Sequence, residues 1–146
     1  IVDAGASGVI GSVSNGAEDR VATFTGTGSL NGEANLTFDG NKLNIQGGVI
    51  HKRRQITSSV TASATDYYLG VSSSSTLTIS LPDASSLTSG QTYVIKDEAG
   101  SLNSSVKINI TPSGSQTIEG QASVSLSSPF SAVSLYTDGS SKYFIY

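Results

Sequence analysis

The single histidine of this chain, His51, is the first residue to consider for catalysis or metal binding. It stands in a basic run with Lys52, Arg53 and Arg54, and no carboxylate is close to it in the sequence. Serine is abundant, but the G-x-S-x-G context of a hydrolase nucleophile is absent. Because the chain has no Cys, thiol catalysis and Cys-type zinc sites are excluded. We therefore predict a protein that is not an enzyme, with no catalytic site, no metal site and no cofactor.

The basic run allows two interpretations. It could bind phosphate or an anionic lipopolysaccharide, or it could form a solvated collar between two regions of the chain, which we favour. His51 could also hold a metal on a symmetry axis, with three copies supplying one ligand each, although an ordinary solvated histidine is the more common case.

Asp97 and Glu98 are the acidic residues that could suggest glycoside hydrolysis. That reaction needs two carboxylates about 5–9.5 Å apart across a cleft. Neighbours on one strand point to opposite faces and do not meet this condition. Ala99 and Gly100 follow directly, so we predict that the two acids belong to a solvated turn.

Exposed tyrosines are candidates for carbohydrate binding, because sugars present apolar C–H faces that pack on aromatic rings. Tyr67 and Tyr68 are consecutive, so on a strand one of them must face outward, and residues 143–146 (YFIY) cannot all point inward. Asn103 and Asp138 lie on predicted loops and could accept hydrogen bonds from sugar hydroxyls. Alternatively, these rings cover core edges or a subunit interface. The candidate receptor-binding residues are Tyr67, Tyr68, Asn103, Tyr136, Asp138 and Tyr143.

The elements that must position these residues are β-strands. Helix-forming residues are sparse, β-branched residues are common, and alternation with period two is frequent. Turn signals containing Gly, Pro and Asp separate short apolar stretches after residue 50. We predict an all-β chain with an antiparallel β-sandwich head at 51–146. Its strands are expected at 55–62, 66–71, 76–81, 92–97, 106–111, 116–118, 123–126, 132–136 and 142–146.

The alternating apolar residues define the expected core of the head, since alternate residues of a strand share one face. The predicted core consists of Ile56, Val60, Leu69, Leu77, Ile79, Leu81, Tyr93, Ile95, Ile108, Ile110, Val124, Leu126, Val133, Leu135 and Ile145.

Residues 1–50 form a separate region, which is rich in Gly and small residues at its start. Residues 1–23 are either a flexible linker or an extended strand supported by other copies of the chain. Around the turn at Gly40 and Asn41 we predict a hairpin in which Phe38 faces Leu43 and Leu36 faces Ile45. The change of composition at the basic run places the domain boundary at about residue 50.

The charge and hydropathy of the chain argue against two classes of protein. The net charge is −3 and the pI is about 4.9, which disfavours a nucleic-acid binder. No apolar run approaches the roughly 20 residues of a membrane-spanning helix, so we expect no membrane insertion.

Several segments of the sequence resemble bacteriophage tail fibres. Residues 11–24 (GSVSNGAEDRVATF) and 30–43 (LNGEANLTFDGNKL) are similar to the shaft-proximal repeat of such fibres. Similarity to their C-terminal heads is carried by 81–84 (LPDA), 90–100 (GQTYVIKDEAG), 108–112 (INITP), 116–120 (QTIEG), 135–139 (LYTDG) and 143–145 (YFI).

The resemblance implies a homotrimeric fibre of the virion, with a shaft segment at 1–50 shared by three chains and a head at the tip. The head would bind a receptor on the bacterial surface, a glycan or lipopolysaccharide. The chain begins at Ile1 without Met, so we expect the distal piece of a longer fibre that ends at its true C-terminus. The missing part would join other tail proteins. The alternatives are a structural or decoration domain without a receptor site, and a polysaccharide depolymerase fragment.

Overall fold

The computed structural model describes residues 12–26 and 29–146, and in these ranges the chain is all-β, as predicted. Fourteen strands and one short 3-10 helix, Ala84–Ser86, make up its regular structure. Asp83 caps that helix by accepting a hydrogen bond from the Ser85 amide, the role that the sequence suggests for an Asp before a turn. The chain divides into two compact units between Ile50 and His51.

The first unit contains a four-stranded sheet built on one long central strand, β3 (Ser29–Phe38). β2 (Arg20–Gly26) pairs with β3 in antiparallel orientation. On the other side of β3, β1 (Ser12–Ser14) is parallel to its start and β4 (Leu43–Ile45) is antiparallel to its end. Of the segment 1–23, for which we expected a linker or an extended strand, residues 1–11 lie outside the described residues.

The hairpin of β3 and β4 has the predicted register. Leu36 pairs with Ile45 and Phe38 with Leu43. The amide of Asp39 donates to the carbonyl of Lys42 and closes the turn, while Asp39 Oδ1 accepts from the amides of Asn41 and Lys42. Gly40 has a φ of +90°, which is the conformation that makes a glycine necessary at this turn.

The first sheet carries exposed apolar side chains at both ends of β3. Residues directly opposite one another on neighbouring strands share a face. Leu36, Phe38, Leu43 and Ile45 therefore form an apolar face at the hairpin, and Val13, Phe24 and Leu30 form a second group at the start of β3, beyond a register shift between β2 and β3. Phe24 is 76% exposed and Leu43 is 59% exposed. Among the described residues of the first unit, the apolar side chains are not gathered into a core of their own.

The second unit has two sheets. One contains β6 (Val60–Thr61), β8 (Leu77–Ser80), β10 (Ile108–Thr111) and β12 (Val124–Leu126). The other has six strands in the order β11-β14-β13-β9-β7-β5. Its members are β5 (Arg53–Ile56), β7 (Tyr68–Val71), β9 (Thr92–Asp97), β11 (Thr117–Ile118), β13 (Ala132–Thr137) and β14 (Lys142–Ile145).

The strands of the second unit are not all antiparallel, which corrects the predicted head. From β5 to β10 the chain passes alternately between the two sheets, so strands two apart in sequence become neighbours that run in the same direction. β5, β7 and β9 are therefore parallel, as are β6, β8 and β10. The predicted strand at 55–62 is divided for the same reason, because β5 and β6 belong to different sheets. The later strands β12, β13 and β14 add in antiparallel orientation, and β11 lies parallel to β14.

The buried residues of both sheets form one hydrophobic cluster. Eleven of the predicted core residues are buried in it, and Val60, Val124 and Leu126 pack against it while partly exposed. Ile145 was wrongly placed in the core: it is 43% exposed, because the outermost strand β11 pairs only with Lys142 and Tyr143 of β14. Seven further residues belong to the cluster and were not predicted: Ala62, Val71, Ala84, Leu87, Leu102, Ile118 and Tyr143.

Candidate functional site

Three aromatic side chains meet where β7 begins. The ring of His51 stacks on that of Tyr67, with centroids 3.8 Å apart and an interplanar angle of 9°. Tyr68 meets both rings edge-on, at 5.8 Å from His51 and 4.8 Å from Tyr67. Tyr68 is the first residue of β7, so Tyr67 lies just before the strand. Alternation therefore does not force the two tyrosines to opposite faces, and their rings lie together.

A second group of rings lies on β13 and β14. Tyr136 pairs directly with Phe144, and their ring centroids are 5.3 Å apart. Tyr146 approaches Tyr136 edge-on at 5.9 Å, and the Tyr146 amide donates to the carbonyl of Ser134. Such tilted and edge-on arrangements are the favourable geometries for aromatic pairs.

Both groups lie on the outer face of the six-stranded sheet. In β9 and β13 the buried residues alternate with partly exposed ones, so Thr92, Val94 and Ser134 face outward. The register places Tyr68 beside Val94, and Val94 beside Ser134. We call His51, Tyr67, Tyr68, Tyr136, Phe144 and Tyr146 the aromatic surface, and Thr92, Val94 and Ser134 its floor.

The aromatic surface is open to solvent. Tyr68 is 40% exposed, Tyr136 37% and Tyr146 65%. The pKa of Tyr67 is raised, first by partial burial and then by the nearby phenols of Tyr146 and Tyr68. The phenol of Tyr67 therefore interacts electrostatically with a phenol of each group. The residues that the structure describes enclose no cavity, so any ligand here would lie on an open surface.

Tyr143 was predicted to bind a receptor, and the structure corrects this. Its side chain is fully buried, and its hydroxyl donates a hydrogen bond of 2.7 Å to the carbonyl of Pro82. Burial raises the pKa of the Tyr143 phenol. Side chains do point alternately to the two faces along β14, but Tyr143 is the one that points inward and Phe144 points outward. Phe144 and Tyr146, which were not among the candidates, occupy the surface instead.

Asp138 and Asn103 both serve local turns. Asp138 Oδ1 accepts from the amides of Ser140, Ser141 and Lys142, and these bonds lower the pKa of the Asp138 carboxyl. The turn follows β13 immediately, so Asp138 is two residues from Tyr136.

Asn103 is exposed, and its Oδ1 accepts from the amides of Ser105 and Val106. It lies in the connection that follows the carboxyl end of β9, whereas Thr92 of the floor begins that strand. The structure therefore places Tyr67, Tyr68 and Tyr136 on one sheet face, puts Asp138 two residues after Tyr136, and leaves Asn103 apart.

The basic run is exposed to solvent, as the interpretation that we favoured requires, and its cations also form ion pairs. Arg54 Nη1 lies 2.9 Å from Asp66 Oδ2, and Lys52 Nζ lies 3.8 Å from Asp66 Oδ1. Asp66 is buried, so these cations compensate a charge inside the protein. Arg53 pairs with Glu98, and this hydrogen bond lowers the pKa of the Glu98 carboxyl.

The two acids that could have suggested hydrolysis are separated by the fold. Asp97 is fully buried, and the prediction of a solvated turn is wrong for it. Its oxygens accept from the amides of Ala99, Gly100 and Phe130. Glu98 lies on the surface against Arg53. Within 12–26 and 29–146, no three His, Cys, Asp or Glu side chains gather in a way that could hold a metal ion.

No known family model matches this sequence, and no curated protein matches it either. No helix in the described part of the chain is long and apolar enough to cross a membrane. The arrangement of the aromatic surface suits stacking and hydroxyl hydrogen bonding, since rings and small polar side chains are what it presents.

Proposed function

We propose that this chain is the distal part of a homotrimeric virion tail fibre, and that it binds a receptor on the bacterial surface during adsorption. The receptor is a glycan or lipopolysaccharide, and the chain carries no enzymatic activity. In this proposal residues 1–50 are a shaft segment shared by three chains, and residues 51–146 are a two-sheet sandwich head at the tip.

The aromatic surface is the observation that carries the receptor role. Its six rings lie on one sheet face, and three of them are more than a third exposed. Large exposed aromatic patches mark binding sites in soluble proteins. Phenols combine an apolar face with a hydroxyl, which matches the mixed surface of a sugar.

The exposed apolar side chains of the first sheet support the proposal of a shared shaft. Val13, Phe24, Phe38, Leu43 and Ile45 are each more than 40% exposed in a single chain. Burying such area is favourable by roughly 25 cal/mol per Å2. Packing against the same side chains of other copies would provide the core that one copy lacks. Three linked heads would also raise the avidity of weak individual sites.

Adsorption of the labelled, purified chain to a panel of bacterial strains tests this function. We expect binding to at least one strain, and loss of that binding in the double variant Tyr68→Ala, Tyr136→Ala. The control is Phe130→Ala, because Phe130 is 62% exposed but lies outside the aromatic surface. Failure to bind any strain, or equal binding by both variants, would contradict the receptor role.

A structural or decoration domain is the second candidate, and the flatness of the aromatic surface favours it. A flat face without a cavity is equally suited to packing against another protein of the virion. In that case the double variant would impair assembly with virion proteins while the wild type adsorbs to no cells.

A further inference from the structure

The floor of the aromatic surface separates two groups of large rings with small side chains. Tyr68, Val94 and Ser134 lie side by side on β7, β9 and β13. Neighbouring strands are about 4.8 Å apart, so the strands of Tyr68 and Tyr136 are separated by roughly 10 Å. Thr92, Val94 and Ser134 are partly exposed between them. The result is a shallow strip that crosses the strands with rings at both ends.

Two of the three cations that border this strip, Arg53 and Lys96, are engaged within the protein. Arg53, beside Tyr68 in the register, pairs with Glu98. Lys96, two residues after Val94, donates to the carbonyl of Phe130. Lys142 lies on the far edge, two residues before Phe144. A negatively charged ligand would have to compete with Glu98 for Arg53, whereas an uncharged ligand would leave these interactions intact.

The polar groups that remain on the strip are hydroxyls. Ser134 on the floor and the phenols around it each provide a donor and an acceptor. The Thr92 hydroxyl donates to the carbonyl of Gly90 and provides an acceptor. Val94 provides an apolar patch between them. Rings, hydroxyls and one small apolar side chain are complementary to a sugar, whose C–H faces pack on rings and whose hydroxyls exchange hydrogen bonds.

We infer that the aromatic surface holds an uncharged oligosaccharide laid across the strands. One sugar packs against Tyr67 and Tyr68, another against Tyr136 and Tyr146, and the segment between them crosses Val94 and Ser134. This inference rests on the proposed function and names the class of its receptor.

Titration of the full chain with oligosaccharides of graded length tests the inference. The probes are the maltose, cellobiose and mannobiose series up to the hexasaccharide, with hyaluronate and heparin fragments as anionic counterparts. We expect at least one uncharged series to bind. Its affinity should rise about tenfold or more from monosaccharide to trisaccharide, which corresponds to about 1.4 kcal/mol. This binding should change little between roughly 50 and 500 mM salt, because it involves no ion pairing.

Variants of the floor test the position of the ligand. Ser134→Trp fills the strip and leaves both ring groups in place, so we expect at least a tenfold loss of affinity. The matched control is Ser125→Trp, at an exposed position on β12 of the other sheet. Tyr68→Ala should lose binding and Tyr68→Phe should retain most of it, since the face of the ring makes the contact.

The outcomes distinguish this inference from the proposed function. Binding of anionic fragments alone, equal affinity at every length, or unchanged binding by Ser134→Trp would overturn the inference. Adsorption to cells without binding of any uncharged series would overturn it as well, and the receptor role would stand. Absence of both adsorption and oligosaccharide binding would remove the receptor role itself. Purified lipopolysaccharide and capsular polysaccharide from an adsorbing strain, used as competitors, identify which of the two supplies the glycan.

Discussion

Arg53 and Glu98 form an ion pair that passes over Gly70. Arg53 lies on β5, Gly70 on the neighbouring β7, and Glu98 directly follows β9, so the pair spans three parallel strands. A Cβ at Gly70 would collide with the Glu98 carboxylate. The glycine therefore provides the space through which the outer face of the sheet is bridged, at the edge of the aromatic surface.

This ion pair predicts an acid-dependent contribution to stability. The hydrogen bond from Arg53 lowers the pKa of Glu98 below its ordinary value of 4.5. A lowered pKa in the folded state means that the contribution is fully present above the unfolded pKa and is lost as pH falls through the folded pKa. The free energy of unfolding of Glu98→Gln should therefore lie below that of the wild type at pH 7 and approach it at pH 3.

Urea titrations at a series of pH values measure this convergence. The control is Glu18→Gln, which removes one negative charge from the first unit. A constant difference between Glu98→Gln and wild type from pH 7 to pH 3 would show that the ion pair contributes nothing. The effect should be small and should weaken with salt, because about half of the Arg53 side chain is exposed.

Replacing Asp97 should lower the free energy of unfolding by more than replacing Glu98 does. Its buried carboxylate accepts hydrogen bonds from the amides of Ala99 at 3.1 Å, Gly100 at 3.2 Å and Phe130 at 3.0 Å. A buried amide left without an acceptor costs about 1–3 kcal/mol. These three hydrogen bonds are only partly buried, because Ala99 and Phe130 are exposed residues, so Asp97→Ala should destabilise the protein by about 1–3 kcal/mol in total. Asp97→Asn keeps one acceptor oxygen and should lose less. Denaturant unfolding measures both.

A comparison with Asp138→Ala separates burial from hydrogen-bond number. Asp138 also accepts from three amides, but its turn is partly exposed, so water can replace the carboxylate. We expect Asp138→Ala to lower the free energy of unfolding by less than Asp97→Ala does. Equal losses would mean that burial of Asp97 is not what makes it important.

A side chain at position 32, where the protein has a glycine, should cause a steric clash in the first unit. A Cβ at this position would lie 2.6 Å from the carbonyl oxygen of Asn15, which is a backbone atom and moves only with its strand. Gly32→Ala should therefore displace the segment after β1, at about 1–3 kcal/mol. Gly26→Ala is the control, since nothing lies within 4 Å of its added Cβ. Hydrogen exchange of the amides in 12–16 should increase in the first variant alone.

Alternation in the sequence predicted which residues pair locally but not which strands become neighbours. The register of Phe38 with Leu43 followed from the turn and the apolar pattern, and the structure has it. The parallel pairing of Tyr68 with Val94 was not predictable in the same way. Period two reports the two faces of a strand, and it contains no information on the direction of a partner that is distant in sequence.

The aromatic surface could not be predicted from the sequence for the same physical reason. Four consecutive apolar residues, 143–146, fit either phase of alternation, and only the position of β14 in the sheet puts Tyr143 inside. The stacking of His51 on Tyr67 depends on where β5 and β7 begin, which is a tertiary feature. The sequence indicated that aromatic residues were candidates for receptor binding. Which of their rings lie together depends on the tertiary structure.

The apolar face at the hairpin of the first sheet predicts the oligomeric state. If three copies bury this face together, light scattering should give about three times the chain mass of 14.9 kDa. The double variant Phe38→Ser, Leu43→Ser removes two opposed side chains of the face and should reduce the mass towards that of one chain. Thr37→Ser, Asn44→Ser changes the paired residues of the opposite face and should not. A wild-type mass of one chain would contradict the shared shaft.

The second unit should fold without the first. All residues of the buried cluster lie between Ile56 and Tyr143, and all the strands that carry it belong to this unit. A chain of residues 51–146 should therefore show a dispersed amide spectrum and a single cooperative thermal transition. Its unfolding enthalpy should be about 60–70 kcal/mol near 60 °C, from the usual value per residue. Intact aromatic contacts, read as cross-peaks between the rings of Tyr136 and Phe144, would show that the surface is retained. An unfolded product would mean that the first unit is needed for the head to fold and that the boundary at residue 50 does not separate independent domains.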